Sequence, residues 1–317
     1  MNLFANVPAR VTICEVGPRD GLQNEPTAIS TDDKVAFCDL LTAAGVPWLE
    51  AASFVSPKAV PQMADGDEVF RRIHKSADTR YIALVPNERG LDRAIEAGVR
   101  NIGVFTAASD GFTQANINMT VDASIATFAG VIRRAKAAGI WVRASVSTAF
   151  GCPFQGDVPI ADVVRVCERL LDLGVDMLSV ADTIGVATPN QVTELVPALL
   201  AVMPMERLGL HFHDTRGTAL VNTLTALQLG VAQFDTSAGG LGGCPFAPGA
   251  TGNGATEDLL YVLHGMGIET GIDLDKLRAA SRFIGERLGH AHASRAYTAM
   301  EAADKRARHP ERNALSS

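Results

Sequence analysis

The sequence predicts an α/β fold, a (β/α)8 TIM barrel with extra C-terminal helices. Eight short, β-branched apolar runs are each followed by a longer amphipathic stretch. Five of those stretches stop at the same punctuation, A-G-V, A-G-I or L-G-V, at Gly45, Gly98, Gly139, Gly174 and Gly230. Glycine there closes a helix in the left-handed region, and the next strand begins at once. No G-x-G-x-x-G follows the first run, which counts against an open doubly wound sheet.

In chain order, the strands fall at residues 11–16, 48–53, 80–85, 101–105, 141–147, 177–181, 208–213 and 233–236. Helical patterns between them cover 32–44, 123–138, 161–173, 189–202 and 218–229. Ser30 or Thr31 caps the first, with Asp32 and Asp33 in its opening turn. Thr188-Pro189 suits the cap and first position of another. Beyond the eighth strand, residues 256–266 and 274–288 read as added helices. We therefore expect a catalytic barrel over residues 1–290, with an active-site loop at 239–254. Residues 291–317, polar and charged, would form a fraying helix and a loose tail.

Hydrophobic residues make up 47% and charged residues 20%, which suits a packed core rather than disorder. With 28 Lys and Arg against 35 Asp and Glu, the net charge of −7 opposes nucleic-acid binding. No apolar run reaches the roughly 18 residues of a membrane helix. The five cysteines include no C-x-x-C pair, so a reducing, cytoplasmic setting is expected rather than a disulfide framework or zinc ribbon. A homodimer is the expected assembly, since barrels often associate through their helices.

In such barrels the reacting groups lie at the C-terminal strand ends and in the following loops. That filter selects Arg19, Asp20 and Gln23 after the first strand, and Glu50 and Ser53 on the second. It adds Asp182 and Thr183 after the sixth, and His211 and His213 on the seventh. Cys244, Asn253 and Glu257 follow the eighth, in and after a glycine-rich loop. Residues two apart on a strand share a face, so both imidazoles would point into the barrel mouth, spaced to grip one cation. Asp20 and Asn253 would add two oxygens, a set suited to Mg²⁺ or Mn²⁺; zinc, with Cys244, stays open.

Arg19 has two readings: a salt bridge closing the mouth with Glu50, or a fixed cation aimed at a developing enolate or carboxylate. Glu50 would orient Arg19 rather than react. Cys244 reads as a small hydrophobe or as a thiol acting on a proton. Asn253 and Glu257 would share one helix face. There Glu257 would support Asn253 or a ligand, or else complement the helix dipole.

These residues, carried in EVGPRDGLQNE, EAASFVSPK, VPQMAD, ADTIGVATP, HFHDT and GGLGGCPFAPGATGNGATEDL, resemble the hydroxymethylglutaryl-CoA lyase family from about Val11 to Leu288. The resemblance implies cleavage of 3-hydroxy-3-methylglutaryl-CoA to acetoacetate and acetyl-CoA, a step of leucine breakdown. It implies Mg²⁺ or Mn²⁺ on Asp20, His211 and His213, with Asn253 completing the site. It implies His211 or a water as base helped by Asp182, Arg19 on the enolate, and Cys244 returning a proton to the acetyl carbon. Glu50 and Glu257 would be supporting carboxylates; CoA is part of the substrate.

The chain departs from the family pattern at Ala59, Gln114, Ala115, Arg216, Thr218 and Gly254. These departures admit a different 3-hydroxy-3-substituted acyl-CoA. Arg216 is one residue that would read an extra carboxylate. A Claisen-type synthase and a silent binding barrel are the weaker alternatives. Lys58, Lys305, Arg306 and Arg308 are candidate cations for the CoA diphosphate.

Overall fold

The computed structural model describes residues 4, 7–243 and 252–308. Eight parallel strands close into a barrel in chain order: β1 (Thr12–Glu15), β2 (Trp48–Ser53), β3 (Arg80–Leu84), β4 (Asn101–Ala107), β5 (Trp141–Ser147), β6 (Met177–Asp182), β7 (Leu208–Phe212) and β8 (Gln233–Thr236). The ring shuts through β1 and β8, with Cys14 opposite Asp235. Strand interiors are nearly continuous apolar runs because both faces are covered, one by the barrel lumen and one by helices. A bulge between Glu50 and Ala52 locally shifts the β2–β3 register.

Around the barrel lie α1 (Thr31–Ala43), α2 (Gly66–Arg72), α3 (Glu88–Glu96), α4 (Asp110–Ile117), α5 (Val121–Ala137), α6 (Ile160–Asp172), α7 (Pro189–Leu200) and α8 (Ala219–Gln228). Then come α9 (Thr256–Gly265), α10 (Leu274–Leu288) and α11 (Arg295–Arg308). Ser30 caps α1 by accepting the Asp33 N–H at 3.1 Å. At α7, Gln191 Oε1 accepts the Thr188 N–H at 3.0 Å. The five punctuating glycines take φ from 68° to 94°, the left-handed region that a side chain resists.

Helices α2 and α4 fall where the hydrophobic periodicity is too short to mark them, and α3 ends at the Gly98 punctuation. Helix α11 is continuous to Arg308 and is tied down rather than frayed at its start. Arg278 on α10 pairs with Glu301 at 2.8 Å and Asp304 at 2.6 Å, and Ser294 Oγ donates to Asp258 at 2.7 Å. Residues 309–317 lie outside the described residues.

The N-terminal end of the barrel is plugged by Trp48 and Trp141, edge to face with centroids 5.5 Å apart. The Arg80 guanidinium stacks on both, 4.9 and 4.3 Å from the ring centroids. The opposite end opens into a cavity of about 410 Å³, bordered by strand ends, by Ala59 and Val60 before α2, and by Phe112 and Ile117 of α4.

Candidate active site

The chain leaves β1 through a single π turn over Gly17–Gly21, in which Val16 O accepts the N–H groups of Asp20 at 2.8 Å and Gly21 at 3.2 Å. Glu15 fixes its entry by accepting the Gly17 N–H at 2.8 Å. This turn swings Arg19 and Asp20 over the cavity. Arg19 Nη2 donates to Glu50 Oε2 at 2.6 Å, and Nη1 to Asp20 Oδ1 at 2.7 Å. Burial works against the guanidinium charge, but Glu50 and Asp20 outweigh it and hold Arg19 cationic. Burial likewise tends to raise the Asp20 carboxyl. Arg19, His211 and His213 reverse this and hold it below its ordinary range.

His211 and His213 follow the period-two rule, their ring centroids 5.1 Å apart. Asp20, His211 and His213 each offer a donor atom, and the three lie within 4.8 Å of one another. Burial, with His211 beside it, pushes His213 down to about 4, so it is a neutral imidazole at neutral pH. Burial also tends to lower His211, but the hydrogen bond and charge of Asp235 raise it.

Asn253 reaches this group because the returning limb of the glycine loop pairs onto two strand ends. Gly254 N donates to Phe212 O at 3.0 Å, Asp214 N to Gly252 O at 2.9 Å, and Ser237 N to Gly254 O at 3.0 Å. Asn253 Nδ2 donates to Asp20 Oδ2 and to Leu241 O, both at 2.9 Å. Gly242, at φ 114°, makes room for it: a Cβ there would sit 2.6 Å from Asn253 Nδ2. Asn253 Oδ1 is buried with no hydrogen-bond partner among the described residues, as is His213 Nδ1. Two nitrogens and a carboxylate grouped this closely, with an orphaned amide oxygen on the side chain bonded to that carboxylate, fit a divalent cation.

A model of the HMGL-like family matches residues 10–284. The chain belongs to the HMGL-like family. It is 48% identical over 288 residues to a hydroxymethylglutaryl-CoA lyase of Bacillus subtilis, covering 91% of this chain and 96% of that protein. It superposes on the hydroxymethylglutaryl-CoA lyase of Pseudomonas aeruginosa with a TM-score of 0.92 at 46% identity, over 94% of this chain and 99% of the other. An Acinetobacter baumannii HMG-CoA lyase, solved with coenzyme A and 3-methylmalate, matches with a TM-score of 0.87 at 42% identity, over 90% and 94% of the two chains.

Not every residue selected from the sequence of this HMGL-like protein faces the cavity. Gln23 and Thr183 line it; Thr183 Oγ1 also accepts the Thr148 N–H at 2.8 Å, where Thr148 holds a φ of 56°. Ser53 is fully buried at the end of β2, with its carbonyl against Gly66. Asp182 turns into its own loop and accepts the N–H groups of Val186 and Ala187, each at 2.9 Å. Glu257 does not meet Asn253, which precedes α9 instead of sharing its face. The Glu257 carboxylate accepts the Gly239 N–H at 2.9 Å and the Ser281 hydroxyl, and burial pushes it up to about 7. Cys244 lies outside the described residues.

Three polar groups that the strand-end filter missed lie deeper, on the barrel floor. Asp235 of β8 is buried against Arg143 of β5 and Ser179 of β6, and faces His211. Among the departures, Arg216 donates to the carbonyls of Ile184 at 3.1 Å and Gly185 at 2.9 Å, which ties it to the loop after β6. Gly254 leaves only 3.3 Å between a notional Cβ and both Ala219 Cβ and Phe212 O, so an aliphatic residue there needs the start of α8 to shift.

Proposed function

We propose that this HMGL-like protein cleaves 3-hydroxy-3-methylglutaryl-CoA to acetoacetate and acetyl-CoA, using Mg²⁺ or Mn²⁺ on Asp20, His211, His213 and Asn253. The observation that carries the reading is the convergence of Asp20, His211 and His213, with Asn253 bonded to Asp20, and of the Arg19–Glu50 pair on one end of a substrate-sized cavity. A divalent cation there supplies Lewis acidity toward the substrate's tertiary hydroxyl and free carboxylate.

The chain's own groups account for the remaining steps. The hydroxyl proton passes to a base beside the ligand cluster, His211 or a water. The C2–C3 bond breaks, its electron pair moves to the thioester α-carbon, and the hydroxyl oxygen becomes the ketone of acetoacetate. Arg19, charged and fixed by Glu50, offsets the negative charge developing on the thioester oxygen. Cys244 returns a proton to the α-carbon to complete acetyl-CoA. Asp182, holding its loop, acts on the shape of the site rather than on the proton.

Ala59, Val60, Phe105 and Phe112 give the cavity lining an apolar face. That face favours, as a second reading, a C3 substituent larger than methyl. With Arg216 spent on backbone carbonyls, an added carboxylate has no support from that side chain. The buried free thiols of Cys14, Cys38, Cys152 and Cys167 support a reducing, cytoplasmic setting.

The test is acetyl-CoA release from 3-hydroxy-3-methylglutaryl-CoA under reductant, with Mg²⁺, with Mn²⁺ and after chelation. Metal-dependent release with kcat/KM above about 10⁴ M⁻¹s⁻¹ is expected. A folded, metal-loaded protein without release would overturn this substrate and move the assay to C3-extended analogues.

A further inference from the structure

We propose that Asp235, braced by Arg143 and Ser179 across the barrel floor, is a positioning residue that fixes His211 as the Nδ1–H tautomer and turns its Nε2 lone pair toward Asp20 and His213. This rests on the reading of those residues as a cation site.

The three floor residues come from the interiors of different strands, where barrel geometry turns alternate side chains inward. Arg143, Ser179 and Asp235 are 4%, 1% and 6% exposed. Asp235 Oδ1 receives Arg143 Nη2; Oδ2 receives Ser179 Oγ at 2.8 Å and lies 3.2 Å from His211 Nδ1. The buried guanidinium holds Asp235 as an anion, and an ionised carboxylate only accepts hydrogen bonds. The hydrogen in the Asp235–His211 contact is therefore the imidazole's. One ring nitrogen is committed as a donor, so in the neutral ring the lone pair stands on the other.

A carboxylate behind a metal-ligating histidine sets ring orientation and basicity, and its loss commonly costs 10–100-fold in metal affinity. A hydrophobic group of similar volume would fill the floor at no greater cost than this buried ion pair. The hydrogen bond to His211 is what such a filler would lack. With Nε2 committed to the cluster, His211 is a ligand, and the hydroxyl proton falls to a water.

The test is a long-range ¹H–¹⁵N correlation spectrum of ¹⁵N-histidine-labelled, metal-free protein, paired with a Mn²⁺ titration read by electron paramagnetic resonance. At a pH high enough to keep the ring neutral, wild type should show His211 as Nδ1–H. Asp235→Asn offers an amide N–H to that nitrogen, so His211 should invert to Nε2–H and Mn²⁺ affinity should fall 10–100-fold. Where the unpaired Arg143 unfolds the single variant, Arg143→Met/Asp235→Asn removes both charges and takes its place. A wild-type Nε2–H tautomer, or a folded variant with unchanged tautomer and Mn²⁺ affinity, overturns the proposal. Wild type that binds no Mn²⁺ overturns the cation reading alone, because the metal-free spectra still decide the role of Asp235.

Discussion

Replacing Arg19 separates the two jobs proposed for it, closing the barrel mouth and stabilising charge on the substrate. The Arg19 side chain is 14% exposed and its partner Glu50 only 6%, so the pair is desolvated. Arg19→Gln leaves the Glu50 carboxylate buried without a cation, at a cost of roughly 3–5 kcal/mol. At about 2–3 °C per kcal/mol for a chain of this size, the melting temperature should fall by roughly 6–15 °C. If Arg19 also faces the enolate, kcat should fall by at least about 10²–10³, the usual loss for one oxyanion donor.

The two effects come apart in Arg19→Gln/Glu50→Gln, which removes the orphaned charge. Calorimetry should show most of the melting temperature restored, while acetyl-CoA release at saturating Mn²⁺ stays as low as in the single variant. Asp20 remains held by Asn253 Nδ2 at 2.9 Å, so Mn²⁺ affinity should move only a few-fold. Recovery of kcat in the double variant would show that Arg19 serves the architecture alone. An unchanged melting temperature in the single variant would refute the energetic argument for the pair.

His213→Ala should cut Mn²⁺ affinity by at least about tenfold, checked by metal content after dialysis; full retention would remove it from the ligand set. Cys244→Ser should lower kcat far more than it changes KM in steady-state assays, and wild-type turnover would exclude the thiol from the proton step. Arg80→Ala removes the cation stacked between the only two tryptophans. It should shift the intrinsic fluorescence and lower stability by about 1–2 kcal/mol while kcat holds, since the plug lies at the opposite end of the barrel. Burial lifts Glu257 from 4.5 to about 7, so its contribution to stability is whole below pH 4.5 and declines as pH rises through 7. Glu257→Gln, a neutral mimic, should match wild type near pH 4.5 and exceed it by up to about 3 kcal/mol at pH 8 in urea titrations; a less stable variant at pH 8 would refute the sign.

The barrel was legible because its signals are local and repeated: the glycine that closes a helix, then the apolar strand. The candidate ligand residues were legible because strand ends and a period of two fix where His211 and His213 point. Arg143 and Asp235 escaped a filter that looked only at strand ends. Their signal was nonetheless present, in opposite charges within W-V-R-A-S-V-S and Q-F-D-T, which a barrel interior tolerates only as a pair. Asp182 and Glu257 show a different limit, since both accept backbone N–H groups. From sequence, a carboxylate facing the cavity looks the same as one hooking a backbone N–H, and only the path of the loop decides between them. The π turn that presents Arg19 and Asp20 has no sequence pattern beyond Gly-Pro.

The acids that turn away from the cavity make the site rigid. Glu15 Oε1 accepts the N–H groups of Gly17 and Ala238, both at 2.8 Å, and Oε2 accepts the Thr256 hydroxyl at 2.6 Å. One buried carboxylate thereby joins the π turn to both roots of the glycine loop. Glu257 holds the neighbouring Gly239 from behind, and Asp182 holds the loop after β6. Each hook satisfies backbone donors that would otherwise be buried without partners, so it is favourable locally whatever the cavity contains. The same hooks keep Asp20 and Asn253, which lie 233 residues apart in sequence, at 2.9 Å while a substrate enters. A donor set drawn from such distant segments keeps its geometry only if its supports are fixed beforehand. In this chain those supports are buried carboxylates that hold backbone N–H groups.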